Sequence, residues 1–226
     1  MRTVTFDNCT LHRGDCRPFL AEMADAAVDV AITDPPYGIG ADRLQAARAK
    51  LKATRSWWPS RDYGGTRWDS AAPDRKTFDE LRRVSRHQVI FGGQYFADRL
   101  PVSRSWIVWD KDNGRSTYAD CELAWTSFDR PVRKLRWRWH GMLQEKGQPR
   151  ERRIHPTQKP LGLMLWVIEH YTRPGDLVLD PFLGSGATAI ACLRLGRRFV
   201  GVEREDTYFR AAVRRIRAEL ALKEAA

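Results

Sequence analysis

Short apolar runs alternate with amphipathic stretches along most of this chain. The runs are typical of buried strands, and they cover residues 10–13, 28–33, 87–91, 105–109, 121–127, 176–180 and 198–203. The amphipathic stretches predict helices over residues 17–23, 77–85 and 161–171, after Gly186, and from Asp206 onward. Strands that alternate with helices predict an α/β fold, in which a mostly parallel, doubly wound sheet carries helices on both faces.

The first long strand ends in an unusual group of residues, Asp34-Pro35-Pro36-Tyr37-Gly38. Two prolines have no N–H group to donate, so they stop the strand and leave their carbonyl oxygens free as acceptors. Asp34 adds two acceptor oxygens at the sheet edge where open α/β folds bind ligands. An exposed Tyr37 could stack on a flat ring, so the group suits a planar ligand that carries an amino group. A strand ended by a simple Pro-Pro turn is the alternative.

A second strand, over residues 176–180, leads into a glycine turn and the start of a helix. The turn runs from Phe182 to Gly186, and its glycines permit close approach of a ligand to the backbone. Glu203 ends the next strand about twenty residues later, a spacing at which nucleoside-binding folds place a carboxylate on a ribose diol. Packing of an ordinary strand-to-helix turn would explain the glycines alone.

These segments resemble motifs of the DNA methyltransferases that methylate exocyclic amino groups. Asp34-Pro35-Pro36-Tyr37 resembles their catalytic motif, and the segment 180–186 resembles their S-adenosylmethionine loop. The segment 155–160 and the pair Gly14-Asp15 are similar to two further motifs. Because the catalytic motif precedes the cofactor loop, the order resembles the permuted β group. It differs from that of ribosomal RNA guanine and glutamine methyltransferases, which have the cofactor loop upstream.

The resemblance implies a Rossmann-like class I S-adenosylmethionine-dependent methyltransferase fold with circularly permuted motifs and a final antiparallel strand, for which 121–127 is the candidate. It implies a catalytic group of Asp34, Pro35, Pro36 and Tyr37. The implied cofactor-binding residues are Asp15, Asp34, Thr157, Asp180, Phe182, Gly184, Ser185, Gly186 and Glu203. Packing at the start of a helix and solvation are an equal alternative for His155 and Lys159.

The activity implied is methyl transfer from S-adenosylmethionine to N6 of an adenine that is rotated out of double-stranded DNA. Related enzymes whose motif begins with Asp favour adenine, and cytosine N4 is the alternative. A nucleic-acid-binding protein that has lost turnover is less favoured, because Asp34, Tyr37, Glu203 and the glycine loop are all present. Methylation of structured RNA or of another amine is a third, less favoured alternative, which the basic charge leaves open.

Charge supports a polyanionic partner. The 226 residues carry a formal net charge of +11, and clustered Arg and Lys bind phosphates with release of counterions. Basic residues alternate with aromatic ones in two segments, at about 41–70 and 130–154, which we interpret as DNA-contacting insertions in a single domain of residues 1–226. In the second segment, Arg and Trp alternate as in a strand with one cationic and one aromatic face. Solvated loops and a half-buried strand are the alternatives.

Other features are absent from the sequence. No apolar run is long enough to cross a bilayer, and no amino-terminal signal is evident, so we expect a cytoplasmic protein. The four cysteines and five histidines have no metal-ligand spacing, and we expect no metal and reduced, mostly buried thiols. No Pro-Cys pair is present for the covalent route to cytosine C5. A homodimer is expected only from the resemblance.

Overall fold

The computed structural model describes residues 2–41, 69–114, 119–140 and 143–224. Its strands are β1 Arg2–Phe6, β2 Cys9–Arg13, β3 Val28–Thr33, β4 Ser85–Phe91, β5 Trp106–Asp110, β6 Cys121–Thr126, β7 Arg133–Arg136, β8 Trp139–His140, β9 Leu143–Gln144, β10 Leu177–Asp180 and β11 Arg198–Glu203. The helices are α1 Cys16–Glu22, α2 Arg75–Val84, α3 Leu161–Tyr171, α4 Ala187–Arg194 and α5 Asp206–Glu224, with a 3-10 turn at Gly93–Phe96.

Nine strands form one mixed sheet in the order β1-β2-β11-β10-β3-β4-β6-β5-β7. The five central strands, from β2 to β4 in this order, run parallel to one another. Strand β6 lies antiparallel between β4 and β5, as predicted for residues 121–127. Because β6 runs the other way, its first residues lie at the same edge as the last residues of β4 and β5.

Helices cover both faces of the sheet, so the doubly wound α/β prediction is confirmed. Successive residues of β3 point to opposite sides: Val30 and Ile32 pack in a core with α3, α4 and α5, whereas Ala31 packs in a core with α1 and α2. This is the two-residue alternation of a strand that is buried on both faces. The functional loops therefore project from a rigid central sheet.

Two features differ from the sequence-based expectation. Strand β1 was not expected; it forms an edge hairpin with β2 through the two-residue turn at Asp7 and Asn8. The prediction of a single strand with alternating Arg and Trp is wrong, because β7 ends at Arg136 and the chain then enters the separate β8-β9 hairpin. Its aromatic side chains belong to the protein interior: Trp139 is 6% exposed, and Trp137 packs against the same core.

Most of the first basic insertion, residues 42–68, lies outside the described residues, so its DNA-contacting role stays a prediction. Cys9, Cys16 and Cys192 are buried free thiols, whereas Cys121 is an exposed one. Among the described helices, none has the length and apolar character needed to span a membrane. Within the described ranges, no three His, Cys, Asp or Glu side chains converge as a metal site would require.

Candidate active site

Four acidic side chains lie at one edge of the sheet, where the parallel strands end. Asp34 follows β3, Asp180 ends β10, Glu203 ends β11, and Asp15 follows β2 after Gly14. The strands are neighbours, and the Gly14 N–H donates to the Glu203 carbonyl at 2.9 Å. The structure thus brings the residues of three separate sequence motifs together at the edge that binds ligands in open α/β sheets.

Asp34 is held on both carboxylate oxygens. The Tyr37 hydroxyl donates to Oδ1 at 2.7 Å, and Lys159 Nζ donates to Oδ2 at 2.5 Å. Pro35 is buried and Pro36 is half-buried, so the turn is fixed by packing as well as by the proline rings. Each carboxylate oxygen has a second lone-pair direction, so Asp34 keeps the capacity to accept from an incoming amine.

Lys159 is the side chain that sequence reasoning left undecided, and the structure places it in the centre of this site. Its ammonium lies 3.1 Å from Glu122 Oε2, and Lys111 Nζ lies 2.5 Å from the other Glu122 oxygen. Glu122 is the second residue of the antiparallel strand β6. Sequence reasoning missed Glu122, although an acid inside the run Cys121-Glu122-Leu123-Ala124-Trp125 is a signal that could have found it.

Burial and charge act against each other on these groups. Burial raises the pKa of Asp34 above its ordinary value, although Lys159 opposes this effect. Burial alone would also raise the pKa of Glu122 and lower that of Lys159. The charges of Lys159 and Lys111 outweigh burial at Glu122 and lower its pKa, and the charges of Asp34 and Glu122 outweigh burial at Lys159 and raise its pKa. Lys159 and Glu122 therefore form an ion pair, and the ammonium is a fixed cation beside Asp34.

Tyr37 is half-buried, so the expectation of an exposed ring is wrong. Its ring stacks on Tyr95 at a centroid distance of 4.8 Å. The ring also lies directly over Gly92, where an added Cβ would be 2.2 Å from Tyr37 Cε1. Gly92 has φ +71°, a left-handed conformation that favours glycine. The turn after β4 is therefore shaped to receive the Tyr37 ring.

Asp69 fastens the chain that leaves the Asp34–Gly38 motif. It is 1% exposed, and its two carboxylate oxygens accept from the N–H groups of Gly38 and Ala41, each at 2.8 Å. Sequence reasoning missed this residue, because it lies 31 positions from Gly38 at the far end of the insertion. The contact fixes where the first insertion leaves and rejoins the site.

The glycine turn between β10 and α4 is arranged around two carboxylates. Glu203 Oε2 accepts from the Gly184 N–H at 2.8 Å, while Oε1 accepts from the N–H of Glu205 at the same distance. Gly184 and Gly186 both have positive φ, at +50° and +73°. The turn needs glycine at these positions because a side chain is strained in this conformation.

Asp180 is buried below the turn and joins it to the catalytic strand. Its carboxylate accepts from the hydroxyls of Thr33 and Thr188 and from the Phe182 N–H. Burial raises the pKa of Asp180 to about 6 and that of Glu203 to about 7, because the charged forms lose their water. Phe182 is half-buried and Ser185 is 5% exposed. Asp180 therefore supports the turn from beneath.

The start of the segment 155–160 lies beside the glycine turn. The His155 ring packs edge-on against Tyr208 at 4.2 Å and would be 3.7 Å from a Cβ at Gly184. Burial, and secondarily the charge of Lys159, lowers the pKa of His155 to about 3. Thr157 donates its backbone N–H to His155 Nδ1 at 3.3 Å. Thr157 and His155 thus lie beside the turn, while Lys159 points into the Asp34 site.

Asp15 has a structural task that the sequence did not reveal. It caps α1 by accepting from the Arg17 N–H at 2.9 Å, and its carboxylate pairs with the Arg17 guanidinium. The hydrogen bond from the Arg17 side chain lowers the pKa of Asp15. The carboxylate is therefore charged and anchored near the end of β11.

The second basic segment is partly neutralised within the protein. Arg136 pairs with Asp112 and Glu145, and Arg138 also pairs with Asp112. The Arg153 guanidinium lies 4.5 Å from the centroid of the Trp139 ring. These contacts reduce the number of cations available to phosphates, and DNA contact by residues 130–154 stays a prediction.

A model of the N6/N4 DNA methylase family matches residues 28–214, a range that contains Asp34, the glycine turn and Glu203. The chain belongs to this family. It is 29% identical over 222 residues to the putative methylase YubD of Escherichia coli K12, with 91% of this chain and 89% of that protein covered. It is 26% identical to the type II methyltransferase M2.MboI of Moraxella bovis, with 92% and 87% covered.

Two solved structures have the same fold as this chain. The complex of M1.HpyAVI with S-adenosylmethionine matches with a TM-score of 0.56 at 26% identity, covering 92% of this chain and 98% of that one. The cytosine-N4-specific PvuII DNA methyltransferase matches with a TM-score of 0.58, covering 92% and 86%, but at 15% identity this likeness shows the fold alone. The class I methyltransferase fold and membership of an S-adenosylmethionine-dependent DNA methyltransferase family are thus confirmed.

The residues present fit this cofactor. A sulfonium cation is stabilised by nearby carboxylates, and Asp34, Asp180 and Glu203 are buried or half-buried at adjoining strand ends. Each Glu203 oxygen accepts one backbone N–H and has a further lone pair for a hydroxyl donor. The match of acceptors to a cation and a diol agrees with the cofactor of the family.

Proposed function

We propose that this methylase transfers a methyl group to N6 of an adenine rotated out of double-stranded DNA. The observation that carries the proposal is the half-buried Asp34 carboxylate just after β3, which is oriented by Tyr37 and Lys159. Exocyclic amines inside a base stack cannot be approached in line, so the base must leave the duplex. The preference for adenine rests on the Asp that begins the motif.

Asp34 and the carbonyl oxygen of Pro35 accept the two amine hydrogens in this proposal. These hydrogen bonds turn the nitrogen lone pair away from conjugation with the base and toward the methyl donor. S-adenosylmethionine, when bound, would supply an electrophilic methyl group and leave as the neutral thioether S-adenosylhomocysteine. As the nitrogen forms the new N–C bond, it loses one of its two protons to solvent. Positioning and electrostatics carry the rate, with no covalent intermediate on the protein.

The aromatic pair Tyr37 and Tyr95 would contact the extruded base. Tyr95 covers part of Tyr37 and is itself 41% exposed, so the base meets either the open face of Tyr37 or the Tyr95 ring. A flat base is well suited to such a surface, because stacking on an aromatic ring stabilises it.

In this proposal, residues from different parts of the fold contact different parts of S-adenosylmethionine. Glu203 accepts from the ribose hydroxyls and Asp15 lies toward the adenine. The methionine portion is enclosed by Phe182, Gly184, Ser185 and Gly186, with Asp34, Asp180 and Thr157 toward the amino-acid end. Support comes from the shared sheet edge and from the start of the segment 155–160, which lies beside the glycine turn.

The decisive test is the identity of the methylated base. The protein is incubated with unmethylated genomic DNA and labelled S-adenosylmethionine, and the DNA is digested for nucleoside mass spectrometry. N6-methyladenine in a defined sequence context, located by single-molecule sequencing, is the expected product. N4-methylcytosine would identify the alternative amine, which presents the same two hydrogens. Label found only in RNA or protein would reject DNA as the substrate.

A further inference from the structure

A chain of alternating charges extends from Asp34 through Lys159 and Glu122 to Lys111. Lys159 Nζ lies 2.5 Å from Asp34 Oδ2 and 3.1 Å from Glu122 Oε2, and Lys111 Nζ lies 2.5 Å from Glu122 Oε1. The four residues come from the β3 end, the segment before α3, the start of β6 and the end of β5. The fold therefore gathers them from distant parts of the sequence.

Stability does not explain this chain of charges. The side chains of Asp34 and Glu122 are each 19% exposed and that of Lys159 is 8% exposed. Taking charges out of water is costly, and apolar residues of similar size often replace buried ion pairs without loss of stability. A purely structural need at this position would be met by packing, so the arrangement of charges points to the chemistry of Asp34.

We propose that Glu122 is a positioning residue that acts through Lys159 to orient the Asp34 carboxylate and set its charge for methyl transfer. This inference rests on the proposed function and deepens it. Glu122 itself is not placed against the substrate. It holds the cation that holds Asp34.

The geometry shows how Glu122 would orient Asp34 through Lys159. Glu122 Oε2 lies 3.1 Å from Lys159 Nζ, so the opposite charges attract each other and the ammonium is held between Glu122 and Asp34. Lys159 donates to Asp34 Oδ2 and, at 3.3 Å, to the Tyr37 hydroxyl, which itself donates to Asp34 Oδ1. With one donor on each oxygen, the plane of the Asp34 carboxylate is fixed.

The sign of the electrostatic effect is defined by the neighbours. Around Asp34 and Lys159 the charged or titratable groups are Tyr37, Tyr95, Lys111, Glu122, His155 and Asp180. The positive charge of Lys159 lowers the pKa of Asp34, and the negative charge of Glu122 raises it. Loss of the Glu122 charge should therefore lower the pKa of Asp34, whereas loss of the Lys159 charge should raise it.

The experiment compares wild type with Glu122→Gln, Glu122→Asp and Lys159→Met in single-turnover methylation of DNA across pH 5 to 9. Asp79→Asn is the matched control, since it removes one carboxylate charge from a half-exposed position on α2. In Glu122→Gln, the acid limb of the pH–rate profile should shift to lower pH by about one unit, and in Lys159→Met it should shift to higher pH. Glu122→Asp keeps the charge and should restore the limb to its wild-type position.

The plateau rate and the cofactor KM separate positioning from folding. Glu122→Gln should lower the single-turnover plateau about tenfold while the KM for S-adenosylmethionine stays within about twofold of wild type, because one charged contact is lost away from the cofactor. If Glu122→Gln does not fold, Lys111→Gln replaces it. That variant leaves Glu122 less neutralised and should move the acid limb upward.

A carboxyl titration by NMR makes the inference independent of turnover. Protein labelled with 13C at the aspartate carboxyl carbons is titrated without DNA or cofactor, with Asp34→Asn to assign the signal. The Asp34 midpoint should fall by about one unit in Glu122→Gln and stay unchanged in Asp79→Asn. Equal midpoints and equal pH–rate profiles in these two variants would overturn the inference. A wild type that methylates no nucleic acid would refute the proposed function, while the titration would still decide whether Glu122 acts on Asp34.

Discussion

Replacement of Gly92 by alanine tests whether the turn after β4 places the Tyr37 ring. An alanine Cβ at this position would be 2.2 Å from Tyr37 Cε1 and 2.7 Å from Cδ1 and Cζ. Carbon atoms prefer a separation of about 3.5–4.0 Å, so the ring must move by more than an ångström. The movement would disturb both the stack on Tyr95 and the hydroxyl's hydrogen bond to Asp34.

The expected cost combines strain with lost contacts. A non-glycine residue at φ +71° costs about 1 kcal/mol, the aromatic pair contributes about 1 kcal/mol, and a hydrogen bond to a carboxylate contributes about 1.5 kcal/mol. The variant should therefore be destabilised by roughly 3.5 kcal/mol, which corresponds to a fall in Tm of about 7–14 °C for a protein of this size. Methyl transfer should fall at least about tenfold, because Asp34 loses one of its two donors.

Gly196→Ala is the matched control for this experiment. Gly196 has φ +72°, but an added Cβ there would meet nothing within 4 Å. Calorimetric unfolding should therefore show only the backbone strain, about 1 kcal/mol, and methyl transfer should be unchanged. If Gly92→Ala and Gly196→Ala are equally stable and equally active, the position of Tyr37 does not depend on Gly92, and the reasoning is wrong.

Two further changes test the acids around the site. The folded pKa of Glu203, about 7, lies above its ordinary 4.5, so its contribution to stability is present at low pH and lost as pH rises through 7. Glu203→Gln has no carboxyl group at this position, so its stability lacks this dependence on pH. The free energy of unfolding of the variant minus that of wild type should therefore increase by about 3 kcal/mol from pH 4 to pH 8, measured by denaturant titration. The affinity of this variant for S-adenosylmethionine, measured by calorimetry, should fall. An unchanged affinity would show that Glu203 does not contact the cofactor. Asp69→Asn should cost about 2 kcal/mol, because one of the Gly38 and Ala41 N–H groups loses its acceptor; a stability equal to wild type would show that this contact does not fasten the loop.

The central strands and helices could be predicted from the sequence because local signals define them. Val28–Thr33, Leu161–Tyr171 and Arg198–Glu203 have the predicted bounds, each set by an apolar run and a terminating proline, glycine or polar residue. The edge hairpin of β1 is short and only partly buried, so its periodicity is weak.

The candidate site was predictable only as far as its motifs are continuous in sequence. Each motif lies at the end of a recognisable strand or just after it: Asp34 and Tyr37 follow β3, the glycine turn follows β10, and Glu203 ends β11. Parallel pairing of these strands brings the motifs together. Glu122 and Lys159 act through long-range contacts, with Lys159 lying 125 positions from Asp34. No local pattern encodes such pairings. Trp137 and Trp139 were misread because alternation does not reveal which partner buries a side chain.

Replacement of Asp34 gives the most direct test of the central claim. Asp34→Ala and Asp34→Asn are compared with wild type in single-turnover methylation of unmethylated DNA, with circular dichroism to verify folding and gel shift to verify DNA binding. We expect both variants to fold and to bind DNA, with methyl transfer reduced at least about a thousandfold. A variant that folds and transfers methyl groups at a near-native rate would contradict the role of Asp34.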